Sequence, residues 1–139
     1  MKVTTLTKLI ISTDFDKEWA YTYQQDMMYH VEGYTLQDCE VYFANRKLMT
    51  VVENTITIHK GYSFDGMTCY PDDSANLAWA GLHDALYQTR IVPRKVADDM
   101  LRSGLRSHGK KDRFLVHLGV RLFGWLAFRH NPHIRIVKI

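Results

Sequence analysis

The chain has 139 residues, 46% of them hydrophobic and 24% charged, and a formal net charge of +3. That length predicts one domain, residues 1–139, with a core large enough to need no metal or disulfide staple. The composition is that of an ordinary soluble globular protein. Cys39 and Cys69 stand far apart with no CxxC spacing, so neither a cysteine zinc site nor a disulfide framework is indicated. The start, MKVTTLTKLIIST, lacks the apolar core and small-residue cleavage site of a signal peptide. No run reaches the length of a membrane span; Phe114 to Phe128 comes nearest and is interrupted by His117 and Arg121.

The charge is unevenly placed. Residues 1–87 carry 6 Lys and Arg against 12 Asp and Glu, whereas residues 88–139 carry 12 against 3. The basic half either faces an anionic partner, such as phosphate, membrane surface or an acidic protein, or is attracted to the acidic half within the fold.

In chain order, Leu6 to Ile11 reads as a strand. Asp14 to Met28 opens with acidic residues and reads as a helix. Tyr21, Tyr23 and Tyr29 show no clear period. Their neighbours Gln24, Gln25 and Asp26 are not the Lys and Arg of a base-stacking platform, so there is no strong nucleic-acid signal. From Glu40 the pattern turns to strands: Val41 to Phe43, Leu48 to Val52, and Thr55 to His59. Asn45-Arg46-Lys47 and Glu53-Asn54 form the breaks. In Thr55-Ile-Thr-Ile-His, alternation puts Ile56 and Ile58 on one face and Thr55, Thr57 and His59 on the other. His59 there reads as a solvated strand residue.

Gly61 closes the last strand, and Gly66 follows Asp65 in a loop that runs to Pro71. Asp65 is either a functional side chain at a strand end or an Asx-turn residue. Asp72-Asp73-Ser74 caps a helix from Ala75 to Gln88. Its apolar face is Ala75, Ala78, Trp79, Leu82, Ala85 and Leu86, and Leu77 and Ala80 off that face predict a central, covered helix. His83 and Asp84 emerge from it about 100° apart. Pro93 starts a second helix, Arg94 to Ser107, burying Val96, Ala97, Met100, Leu101, Gly104 and Leu105. Asp98 falls at the edge of that stripe, Asp99 points away, and Arg94 sits one turn before Asp98, within salt-bridge reach. A third helix, about Lys111 to Phe128, is expected, with an apolar half-circumference to dock on the sheet or the other helices, or else to lie on a membrane or partner. The tail, His133 to Ile139, reads as an edge strand. The fold class expected is α+β: a small antiparallel sheet from the N-terminal half packed by three C-terminal helices.

Asp65, His83, Asp84 and Asp98 are the candidate catalytic residues. As a mixed oxygen and nitrogen set, Asp65, His83 and Asp98 suit a divalent cation such as zinc, manganese or magnesium. Such an ion would acidify a bound water, a remaining carboxylate would orient the imidazole, and Arg94 would stabilise developing negative charge. The same residues equally read as a buried hydrogen-bond network holding two helices in register. No HExxH, P-loop, nucleophile elbow or paired CxxC is present.

The order Gly61-Tyr62-Ser63-Phe64-Asp65-Gly66-Met67-Thr68, His83-Asp84-Ala85-Leu86-Tyr87, Arg94 with Ala97-Asp98, and Gly124-Trp125 resembles a phage-borne family of small proteins of unknown function. The family pattern is Gly-Phe-x-x-Asp-x-Ala-Ser-x-Pro, His-Asp-x-Leu-Tyr, Arg-x-x-Ala-Asp and a terminal Gly-Trp helix. Met67 replaces the usual Ala, and Pro71 falls one residue late. The resemblance implies a phage or prophage origin and a location in the host cytoplasm or the virion. It adds Thr68 and Tyr87 to Arg94 as binding residues. The functional expectation is a hydrolase-like protein acting on a cell-wall or phosphate-containing host molecule. The alternatives are a virion or assembly component that binds another phage protein through its basic helical half, and an inhibitor of a host protein.

Overall fold

The computed structural model describes residues 1–13, 21–64, 74–107 and 132–139, with side chains of the first helix from Asn76 onward. Nine strands and two helices follow one another in these residues. They are β1 (Lys2–Thr5), β2 (Ile11–Thr13), β3 (Tyr21–Tyr23), β4 (Met27–Glu32), β5 (Cys39–Phe43), β6 (Arg46–Val52), β7 (Thr55–Ile58), β8 (Ser63–Phe64), α1 (Ser74–Thr89), α2 (Arg94–Ser107) and β9 (Ile134–Lys138). A six-stranded sheet has the order β1-β4-β7-β6-β5-β9, and a three-stranded sheet the order β2-β3-β8. Every pairing is antiparallel.

The expected architecture is corrected in four respects. The described chain is mostly β with two helices rather than three; the predicted third helix, 111–128, lies outside the described residues. The sheet is not small, and its last strand comes from the C-terminal tail, where the predicted edge strand is found as β9. Finally, the segment read as a helix toward Met28 holds two strands, β3 and the start of β4, while residues 14–20 lie outside the description. Leu6 to Ile10, expected as a strand, instead connects β1, which ends at Thr5, to β2, which begins at Ile11.

Period-two alternation explains the sheet. Val3, Met27, Tyr29, Val31, Val41, Met49, Val51, Ile56 and Ile58 are all buried on one face. Their strand neighbours face outward, as antiparallel sheets with one covered face require. Tyr21 and Tyr23 obey the same rule on the small sheet and are buried, not an aromatic surface. Helix α1 lies against this core on nearly all sides: Leu77, Ala78, Trp79, Ala80, Leu82, Ala85 and Leu86 are all buried. Helix α2 packs on α1 and β1, and Ser103 Oγ accepts a hydrogen bond from Val3 N at 3.1 Å.

The β6–β7 hairpin turns through Glu53 and Asn54, both with positive φ (48° and 59°). This is the two-residue turn that matches the twist of paired strands, and Asn tolerates it better than most residues. Asn54 also ties down the preceding loop. Its Oδ1 accepts from Leu36 N at 2.8 Å, and its Nδ2 donates to Tyr34 O at 2.7 Å and Val31 O at 3.1 Å. Asn54→Ala removes these bonds and adds left-handed strain, so it should cost about 2–4 kcal/mol. Asn54→Gly loses the same bonds without the strain. Urea denaturation should therefore rank Ala below Gly by about 1 kcal/mol; equal losses would show that the backbone angle contributes nothing.

Candidate functional site

The two helices meet at Asp98. Alternating burial along α2 places Ala97, Asp98, Met100, Leu101, Gly104 and Leu105 against α1, so Asp98 is a core residue with no exposure, not the edge of a stripe. A carboxylate so placed must be hydrogen-bonded, and α1 supplies the donors from consecutive turns. His83 Nε2 lies 2.8 Å from Asp98 Oδ1, and the Tyr87 hydroxyl donates to the same oxygen. Arg94, one turn earlier on α2, brings Nε to 3.8 Å from Oδ2. The rings of His83 and Tyr87 pack with centroids 4.1 Å apart.

The electrostatics follow from this geometry. Burial, the largest single influence on Asp98, pushes its carboxyl up. The hydrogen bonds from His83 and Tyr87, with the charges of His83 and Arg94, outweigh burial and hold it below the usual carboxylate range. Burial and the bond to Asp98 push the Tyr87 phenol far above its ordinary value, so it stays a donor. An ionised carboxylate only accepts, which makes His83 Nε2 the protonated nitrogen and leaves Nδ1 as the basic one.

The remaining predicted residues divide. His83, Asp98, Tyr87 and Arg94 are brought together. Asp84 is half-buried and acts elsewhere: its charge adds to the burial that raises the Tyr23 phenol. Asp65 and Thr68 lie outside the described residues. Among the described residues no group of three His, Cys, Asp or Glu side chains could hold a metal ion. Since Asp98 already takes the His83 Nε2 proton, a zinc, manganese or magnesium ion at His83 would use Nδ1. Asp98 would then orient the ligand rather than bind the metal.

Two polar chains were not visible beforehand. Tyr29 donates to Ala78 O on α1 at 2.5 Å and so must accept from Tyr23, whose hydroxyl is 3.1 Å away. Gly81 makes room for this: a Cβ there would fall 1.9 Å from the Tyr23 hydroxyl. On the outer sheet face His59 is half-buried and held from both sides, with Nε2 2.7 Å from Thr50 Oγ1 and Nδ1 3.3 Å from Asp26 Oδ2. Alternation put His59 on the correct face, but its partners depend on a register the sequence does not print.

These elements define an antiparallel sheet protein with a buried His–Asp pair between two helices. The chain matches no protein-family model, no curated protein and no solved structure. The resemblance to phage-borne small proteins thus rests on the order of its motifs alone. Among the described residues, no helix is long and apolar enough to cross a membrane.

Proposed function

We propose that this chain is a hydrolase-like protein of the phage-borne kind, in which His83 moves the proton and Asp98 orients it. One arrangement supports the reading: a fully buried Asp98 accepting from His83 Nε2 at 2.8 Å, which fixes the imidazole tautomer. Nδ1 takes a proton from water as the oxygen attacks an acyl or phosphoryl centre, and returns it to the departing oxygen. Asp98 stabilises the imidazolium between these steps, and Tyr87 and Arg94 keep Asp98 charged.

The test is hydrolysis of nitrophenyl acetate and nitrophenyl phosphate, each with chelator and with added zinc or manganese. His83→Gln should lower turnover at least a hundredfold while the folded far-ultraviolet dichroism persists. Wild-type protein without turnover on either probe, or a His83→Gln variant as active as wild type, sinks the hydrolase reading.

A second reading, a non-catalytic assembly component, is favoured by Phe43, Ile136 and Ile139. They are 42%, 44% and 60% exposed at the β5–β9 margin of the large sheet. Apolar side chains beside an edge strand suit a partner better than solvent.

A further inference from the structure

A cavity of about 470 Å³ opens beside the β5–β6 hairpin, away from the Asp98 cluster, and its walls include Phe43, Arg46, Lys47, His59, Lys60 and Tyr62. Its volume falls in the range of small-ligand sites. Residues 1–87 hold only six Lys and Arg within a strongly acidic half, yet three of the six line this one cavity. Among the described residues, no Asp or Glu lines it.

The cations are not equivalent. Lys47 is partly neutralised by Glu40, 3.4 Å away. The side-chain charges of Arg46 and Lys60 form no ion pair among the described residues. Arg46 is also held in place, because its Nη2 donates to Lys60 O at 3.1 Å. That contact requires Gly61, whose φ is +93° and where a Cβ would fall 1.7 Å from Arg46 Nη2. The Gly61 backbone is fixed in turn by Gly61 N donating to Tyr23 O at 2.7 Å. Asp26 anchors the next residue back, accepting from Lys60 N at 2.8 Å. Both nitrogens of His59 are engaged with Thr50 and Asp26, so His59 serves as wall rather than ligand.

A guanidinium hydrogen-bonded to the Lys60 carbonyl, with the Lys60 side chain belonging to the same cavity lining, makes a receptor suited to a phosphate. The other surfaces are aromatic. Phe43 is 42% exposed, and its ring face suits a planar heterocycle, while the Tyr62 ring is buried against Tyr23 and Phe64 and closes the cavity from behind. Gln88, on the α1 side, offers an amide with both donors and an acceptor, which suits the polar edge of a base.

We propose that this cavity binds a mononucleotide, its phosphate on Arg46 and Lys60 and its base against Phe43. This site is separate from the His83–Asp98 pair and does not depend on any hydrolytic activity.

The experiment is calorimetric titration of the whole chain with adenosine monophosphate, adenosine and inorganic phosphate, with amide chemical shifts followed in parallel. The nucleotide should bind at one site and shift Gly61, Ser63 and Gln88. Adenosine and phosphate should each bind at least tenfold more weakly. Arg46→Ala and Lys60→Ala, at exposed positions, should leave the fold intact and each weaken nucleotide binding about tenfold or more. Gly61→Ala, which pushes the guanidinium aside, should weaken it as well. The assignment is overturned if the nucleotide does not bind, if adenosine or phosphate binds as tightly, or if folded Arg46→Ala and Lys60→Ala keep wild-type affinity.

Discussion

Gly104→Ala should destabilise the protein by about 2–4 kcal/mol, although alanine is the better helix former. By intrinsic propensity the substitution in mid-helix would stabilise by about 1 kcal/mol, so the sign alone separates two accounts of the residue. The steric account rests on Trp79. A Cβ at Gly104 would stand 2.1, 2.3 and 2.5 Å from three atoms of the indole. That ring cannot swing away. It is 1% exposed, its centroid lies 5.6 Å from the Tyr29 ring, and Tyr29 is itself fully buried and bonded to Ala78 O. The remaining way to relieve the clash is for α2 to move off α1, which would also pull Asp98 from His83 and Tyr87. Thermal melting should show a loss of roughly 3 °C or more per kcal/mol. Arg102→Ala, on the exposed side of the same helix, should change it by less than about 0.5 kcal/mol. A Gly104→Ala protein as stable as wild type would mean the helices are not in this close contact.

The helical half was legible because a 3.6-residue period survives in it. Trp79, Leu82 and Leu86 on one helix and Ala97, Met100, Leu101 and Leu105 on the next mark the faces that are in fact buried. With Pro93 between them, two such helices must face each other, so His83 and Asp98 could be paired from spacing. The depth of Asp98 could not be foreseen, because a carboxylate beside an apolar stripe looks alike whether its donors are solvent or two side chains from the facing helix. The strands from Val41 to Ile58 were equally legible from β-branched alternation. The segment from Tyr21 to Val31 was not. Its alternation is interrupted by the turn between Tyr23 and Met27, and acidic Asp14, Asp16 and Glu18 upstream read as a helix start. Asn54 and Asp26 look like ordinary turn residues in sequence. Their contributions come from Leu36, Tyr34 and Lys60, brought to them only by folding. Averaging charge over half-chains likewise hid the Arg46 and Lys60 pair inside an acidic region.

Asp98→Ala should cost about 3–5 kcal/mol at neutral pH, because it leaves the donors of His83 and Tyr87 buried without their acceptor and the Arg94 charge without its counterion. Asp98→Asn is the sharper probe. It preserves shape but not charge, and its amide brings N–H groups toward donors, so an intermediate loss is expected. The dependence on pH distinguishes the charged account from simple packing. The folded carboxyl is held below its ordinary range, while in the unfolded chain it titrates near 3.9. A depressed folded value contributes stability that is complete above about pH 4 to 5 and is lost as pH falls through the folded value. The gap between wild type and Asp98→Asn should therefore be constant from pH 7 to about 5 and close progressively below about 4. Urea denaturation at pH 7, 5 and 3 measures it. A gap as wide at pH 3 as at pH 7 would assign Asp98 a neutral, space-filling part and remove the anion that holds His83 in its reactive tautomer. Lost turnover in an Asp98→Asn protein that remains folded at neutral pH, with Asp99→Asn unaffected, would tie that same charge to proton transfer.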